Sequence, residues 1–174
     1  VHDGNLSRET RLVLAGRRGW LCQGLDRAIA ASGCAERIAM PGYVAAEDLA
    51  ALLSGALAFV YPSWYEGFGL PVLEAMACGL PVIGVDAGAT PELVDETVGE
   101  LVPKARAAAL AWGVTRLFER DWLAAGAAAR RRAVRHYGWG PQLDRQLLRT
   151  GQLCREGRVS DEFDHPSEAV SASV

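Results

Sequence analysis

The stretch "LAFVYPSWYEGFGLPVLEAMACGLPVIGV", Leu57 to Val85, decides the fold. It opens on an apolar run closed by Pro62 and ends on a second, "PVIGV"; both have strand length. Between them lies a turn with glycines at 67 and 69, then an apolar-periodic segment expected to be helical over Val72 to Cys78. Strand, turn, helix and strand in that order make a βαβ unit, whose strands run parallel.

The same alternation continues on both sides. Upstream, "RLVLA" reads as a strand, Leu21 to Ala31 as a helix, "RIAMPG" as a strand ending in a turn, and "AEDLAALLSG" as a helix with acidic residues in its first turn. Downstream come a short helix after Pro91 and the strand "GELV". Strands alternating with helices predict an α/β fold with a parallel sheet, and the near-continuous apolar strands agree, because parallel strands are buried on both faces. After Pro103 the pattern is helical, over Ala107 to Arg120, Trp122 to His136 and Gln142 to Arg149. From Arg155 periodicity is lost, and residues 151–174 are expected to be a disordered tail.

Glu66 and Glu74 stand eight residues apart across the glycine turn. In a parallel α/β sheet this junction lies at the carboxyl ends of the strands, where ligands bind. Glycine lets the backbone approach a ligand and take positive φ, and Pro71 suits a first helical position. A helix N-terminus there has free N–H groups for a phosphate or a sugar oxygen. Glu74, expected in the first helical turn, suits a ribose diol, and Glu66, at the mouth of the strand, suits a sugar. The residues themselves leave a plainer reading open, an ordinary junction in which Glu74 complements the helix dipole.

Composition sets limits. The 174 residues, half of them apolar, suffice for one globular domain. A net charge of −3 gives no footprint for nucleic acid. The longest apolar run, Leu49 to Tyr61, is broken by Ser54 and Gly55 and is too short to span a bilayer; the polar opening "VHDGNLSRET" does not resemble a signal peptide. A cytoplasmic location is expected. Cys22, Cys34, Cys78 and Cys154 form no paired motif, and His2, His136 and His165 are dispersed, so neither a metal site nor a disulfide framework is expected. Arg130, Arg131, Arg132 and Arg135 share one helical stretch, which allows peripheral contact with an anionic membrane; a solvated helix face is the more ordinary reading.

The segment "PSWYEGFGLPVLEAMACGLPVIG" resembles the E-x7-E signature of glycosyltransferase family 4, the retaining "group 1" transferases. "RLVLAGRRGW", "RIAMPGYVAAEDLAALLSGALAFVYPS", "TPELV", "GELVP" and "YGW" follow in the family's order, so the resemblance covers about residues 11–149. It implies the C-terminal half of a two-domain GT-B architecture, a Rossmann-like domain over 11–150 that binds a nucleotide-diphosphate-sugar without a metal or other cofactor. Glu66 is then the catalytic residue, stabilising the donor sugar near the reacting centre. Gly67, Phe68, Gly69 and Leu70 hold sugar hydroxyls and phosphate through their backbone, Glu74 binds the ribose, and the backbone of Val44 meets the nucleobase. For Val44 a simple strand-end core role stays open.

The resemblance starts at the family's second strand. It implies that the first strand and helix, with their diphosphate-gripping arginine and lysine, and an N-terminal acceptor domain are supplied elsewhere, in cis or in trans. Residues 1–10 do not replace them. Arg17 and Arg18 can approach a phosphate, but a solvated loop is their more ordinary role. In a 3-2-1-4-5-6 strand order, the second and fourth strands would lack their shared neighbour, and unpaired edges invite association. The expected function is therefore the donor-binding part of a glycosyltransferase, inactive alone. A non-catalytic nucleotide-binding module and a nucleotide-sugar epimerase are the alternatives.

Overall fold

Apolar spacing sets most element boundaries. The computed structural model describes residues 7, 9–19, 23–64 and 68–138. Among them the order is β1 (Leu12–Ala15), α1 (Gln23–Ala31), β2 (Ile38–Gly42), α2 (Ala46–Ser54), β3 (Phe59–Tyr61), α3 (Leu70–Ala77), β4 (Val82–Val85), α4 (Thr90–Leu93), β5 (Gly99–Val102), α5 (Ala107–Phe118) and α6 (Trp122–Arg132). A 3-10 turn, Ala35–Arg37, precedes β2, and a wider π-type turn, Ala133–Tyr137, follows α6. The helix expected over 142–149 and the tail over 151–174 lie outside the described residues.

All strand pairings are parallel, and they fall into two sheets, β1-β2 and β3-β4-β5. β4 is central in the larger sheet and buried along its whole length, which is why "VIGV" carries no polar side chain. Ile83 and Val85 pack with Val102 of β5 and with Leu117 and Phe118 of α5. A second cluster joins Leu53 of α2, Ala75 of α3 and Leu80. Each buried valine, leucine, isoleucine or phenylalanine side chain contributes about 1.5–3 kcal/mol by leaving water. The β1-β2 pair differs sharply: Leu12, Val13 and Met40 remain exposed although the strands are just as apolar. No ladder links β1 to β3 among the described residues.

Glycine lets backbones meet at two points that position the rest. A Cβ on Gly126 of α6 would lie 2.2 Å from the Gly79 carbonyl oxygen, just after α3. One on Gly99 would lie 2.0 Å from the Val82 carbonyl oxygen of the neighbouring strand. Ala125, Ala129 and Ala133 line the same side of α6 as buried small residues, so this helix can settle closely against the domain.

Two expectations need correction. α3 begins at Leu70, not Val72, so Pro71 is its second residue. Its missing N–H still costs nothing, because the first four helical N–H groups lack intrahelical acceptors. Consequently Glu74 stands in the second turn of α3, not the first, where the dipole's pull has largely faded. The cause is Gly69, whose left-handed conformation (φ 74°, ψ 34°) turns the chain into the helix earlier than the apolar spacing suggests. α4 likewise starts at Thr90, one residue before Pro91.

Candidate functional site

The candidate site lies where β3 ends and α3 begins. Tyr61 is buried at the end of β3, with its ring stacked on Phe59 two residues earlier (centroids 5.9 Å apart). Residues 65–67 lie outside the described residues, so the expected positions of Glu66 and Gly67 are not seen. The chain resumes with Phe68, whose side chain is 55% exposed, and Gly69. The Gly69 carbonyl accepts from the Val72 and Leu73 N–H groups at 3.0 and 3.2 Å, closing the first turn of α3.

Gly69 serves two constraints. Its φ of 74° is a conformation that L side chains rarely adopt, and a Cβ there would lie 2.8 Å from Leu93 Cδ1. The expectation of positive φ in this turn is thus met at Gly69. Beyond it, Val72, Ala75 and Met76 are fully buried, whereas Leu70 and Glu74 are exposed one turn apart. The helix therefore presents Leu70 and Glu74 on one open face that starts at the glycine turn.

Other expected contributors sit at the carboxyl ends of β1 and β2. The Gly16 N–H donates to the Gly42 carbonyl at 2.8 Å, tying the two strand ends together. One residue further on, the Arg17 guanidinium lies over the Tyr43 ring, 5.1 Å from its centroid. Arg18 instead pairs with Asp26 of α1, which supports a loop role for it. Val44 follows Tyr43 directly and is half-buried ahead of α2.

The basic stretch of α6 is not one solvated face. Arg130 donates to the Ala77 carbonyl at the end of α3 (3.0 Å), and Arg132 to the Leu93 carbonyl (3.1 Å), Asp95 (2.6 Å) and Thr97 (3.0 Å). Arg131 and Arg135 are exposed. Sequence reasoning missed this use of Arg130 and Arg132 because their acceptors are backbone groups 53 and 39 residues away. Among the described residues no cluster of His, Cys, Asp or Glu is placed to hold a metal ion, and no helix is long and apolar enough to cross a membrane.

Residues 3–120 match the family model for glycosyl transferases group 1. The chain belongs to this family. It is 45% identical over 95 residues to O-antigen chain mannosyltransferase B of Escherichia coli, a match taking in 52% of this chain and 25% of that protein. It is 38% identical over 118 residues to the MMP alpha-(1->4)-mannosyltransferase of Mycolicibacterium hassiacum, covering 66% of this chain and 29% of the relative. The chain thus spans under a third of the length of these curated relatives. Among solved structures, sucrose-phosphate synthase from Thermosynechococcus elongatus superposes with a TM-score of 0.71 at 32% identity, over 84% of this chain and 38% of that one. The Anabaena protein HepE in complex with UDP gives a TM-score of 0.72 at 24% identity, over 83% and 42%, a likeness of fold. The chain is therefore an α/β, Rossmann-like half-domain of the GT-B architecture, as expected from its sequence.

Proposed function

We propose that this chain is the donor-binding part of a retaining, family 4-type glycosyltransferase that moves a hexosyl group from a nucleotide-diphosphate-sugar to an acceptor. The observation that carries the proposal is the left-handed Gly69 turn at the carboxyl end of β3, opening α3 with Glu74 on its exposed face. Backbone N–H groups at such a turn suit phosphate and sugar oxygens. Glu74 is assigned to the ribose diol, and its place in the second turn favours a binding role over dipole compensation.

Phe68, Gly69 and Leu70, with Gly67, are assigned to the sugar and phosphate, Glu66 to the transition state and the Val44 backbone to the base. In such a transferase the leaving diphosphate is stabilised by preorganised N–H groups and cations. The names of the two relatives make mannose the first sugar to test.

The domain reading belongs to the same proposal. β2-β1 and β3-β4-β5 match strands 3-2 and 4-5-6 of a Rossmann-like order, so one parallel strand between β1 and β3 would complete the sheet. The acceptor domain is assigned outside these residues. Anionic membrane contact is left to Arg131 and Arg135, since Arg130 and Arg132 hold backbone carbonyls.

The test is a labelled-donor assay with GDP- and UDP-linked hexoses, using the chain joined to the upstream region of a full-length relative. Transfer with retained anomeric configuration supports the proposal. No transfer from any common donor by a folded protein sinks it. The divided sheet favours a second reading, a binding module without turnover, which predicts nucleotide affinity but no transfer in that experiment.

A further inference from the structure

A continuous series of contacts links α6 to the glycine turn. Arg132 Nη1 donates to the Leu93 carbonyl at 3.1 Å, while Nη2 reaches Asp95 at 2.6 Å and Thr97 Oγ1 at 3.0 Å. Asp95 also accepts from the Thr97 N–H and hydroxyl at 2.9 and 2.6 Å, which fixes the segment after α4. Leu93, at the end of α4, is 3% exposed, and its Cδ1 fills the space where a Cβ on Gly69 would lie. Gly69 in turn caps α3. Arg130 holds the other end of α3 through the Ala77 carbonyl.

The geometry points to Arg132 as a positioning residue for the glycine turn, acting through Leu93. The inference rests on the reading of that turn as the donor site. Glycine takes left-handed and right-handed backbone conformations about equally readily, so the φ of 74° at Gly69 is selected by its surroundings rather than by its own preference. Leu93 is the side chain that closes on it, and the Arg132 guanidinium fixes the Leu93 backbone. The planar fork presents Nη1 to the Leu93 carbonyl and Nη2 to Asp95 and Thr97 in one fixed geometry, whereas a lysine ammonium gathers its donors at a single nitrogen on a flexible stem. Arg132→Lys therefore keeps the charge opposite Asp95 but loses the simultaneous bond to Leu93.

The experiment is hydrogen exchange on the full chain, comparing wild type with R132K, R132Q, L93A and R132Q/L93A, each confirmed folded by circular dichroism. The amides of Val72 and Leu73, bonded to the Gly69 carbonyl, are followed against those of Ile83 and Val85 in β4. About tenfold faster exchange at Val72 and Leu73 in R132Q, with β4 unchanged, is expected. R132K is expected to resemble R132Q, and the double variant to be no worse than L93A, since both act on one contact. Unchanged exchange at Val72 and Leu73, or acceleration of all four amides together, overturns the inference; the latter makes Arg132 a general stabiliser only. A second arm measures UDP and GDP binding by calorimetry on the chain joined to the upstream region of a full-length relative, where R132Q is expected to bind about tenfold more weakly while still folded. Undiminished binding by R132Q overturns the link to the ligand site. If wild type binds neither nucleotide, the donor-site reading fails, and the exchange result still decides whether Arg132 positions the turn.

Discussion

Arg132 Nη2 meets Asp95 Oδ2 at 2.6 Å, and this contact ties the end of α6 to the loop before β5. Partial burial raises the Asp95 pKa, but hydrogen bonds from the Arg132 and Thr97 side chains and the Thr97 N–H, with the arginine charge, outweigh it and bring the value from 3.8 to about 2. A folded-state pKa below the unfolded value stabilises the fold above pH 4, and that stability is lost as pH falls through about 2. Because the Asp95 side chain is half exposed, solvent screening holds the contribution to on the order of 1 kcal/mol. Urea midpoints of wild type and D95N should differ at pH 6 and converge near pH 2. A difference that persists undiminished at the lower pH would remove the ion pair from the explanation.

Gly126→Ala tests the approach of α6 to α3. In an isolated helix the change is favourable by about 1 kcal/mol. Here the new methyl would stand 2.2 Å from the Gly79 carbonyl oxygen, a backbone atom just beyond the α3 end that Arg130 holds. Overpacking of this kind costs about 1–3 kcal/mol. The variant is therefore expected to melt several degrees below wild type; an unchanged or raised Tm would show that α6 can shift without cost.

The Arg18–Asp26 pair provides a contrast. Both side chains are about half exposed, so solvent competes for the interaction. Asp26→Asn should change stability by less than about 0.5 kcal/mol, and less still in high salt. A clear loss in the denaturant midpoint would mean that the loop after β1 is more firmly tied to α1 than this geometry implies.

Strand and helix order was legible because it rests on local periodicity: "VIGV" is apolar at every position because β4 is buried, and "AEDLAALLS" repeats at helical spacing. The start of α3 was misplaced by two residues because it depends on the φ of Gly69, which the apolar pattern does not encode. The arginines of α6 were open to a membrane reading for a related reason. Whether Arg132 meets lipid or the Leu93 carbonyl depends on chain folding across 39 residues, and no local signal carries that. Glu66 and the residues after Gly138 fall outside the described residues.

Glu74 and Glu66 are assigned different tasks, and substitution separates them. Glu74 is exposed in the second turn of α3, on the face it shares with Leu70, and its bond to the helix is made by its backbone carbonyl, which accepts from the Cys78 N–H at 3.1 Å and is kept on substitution. Glu74→Ala should therefore leave stability within about 0.5 kcal/mol of wild type. In a completed transferase, it should weaken nucleotide binding by about tenfold, the loss of a charged acceptor on a hydroxyl pair. Glu66→Ala should leave nucleotide affinity nearly unchanged and lower kcat, since its assigned interaction strengthens in the transition state. Calorimetry with UDP and GDP beside steady-state kinetics distinguishes the two. Equal nucleotide affinity in wild type and E74A would remove Glu74 from the ribose, and a loss of affinity in E66A without change in kcat would make Glu66 a binding residue.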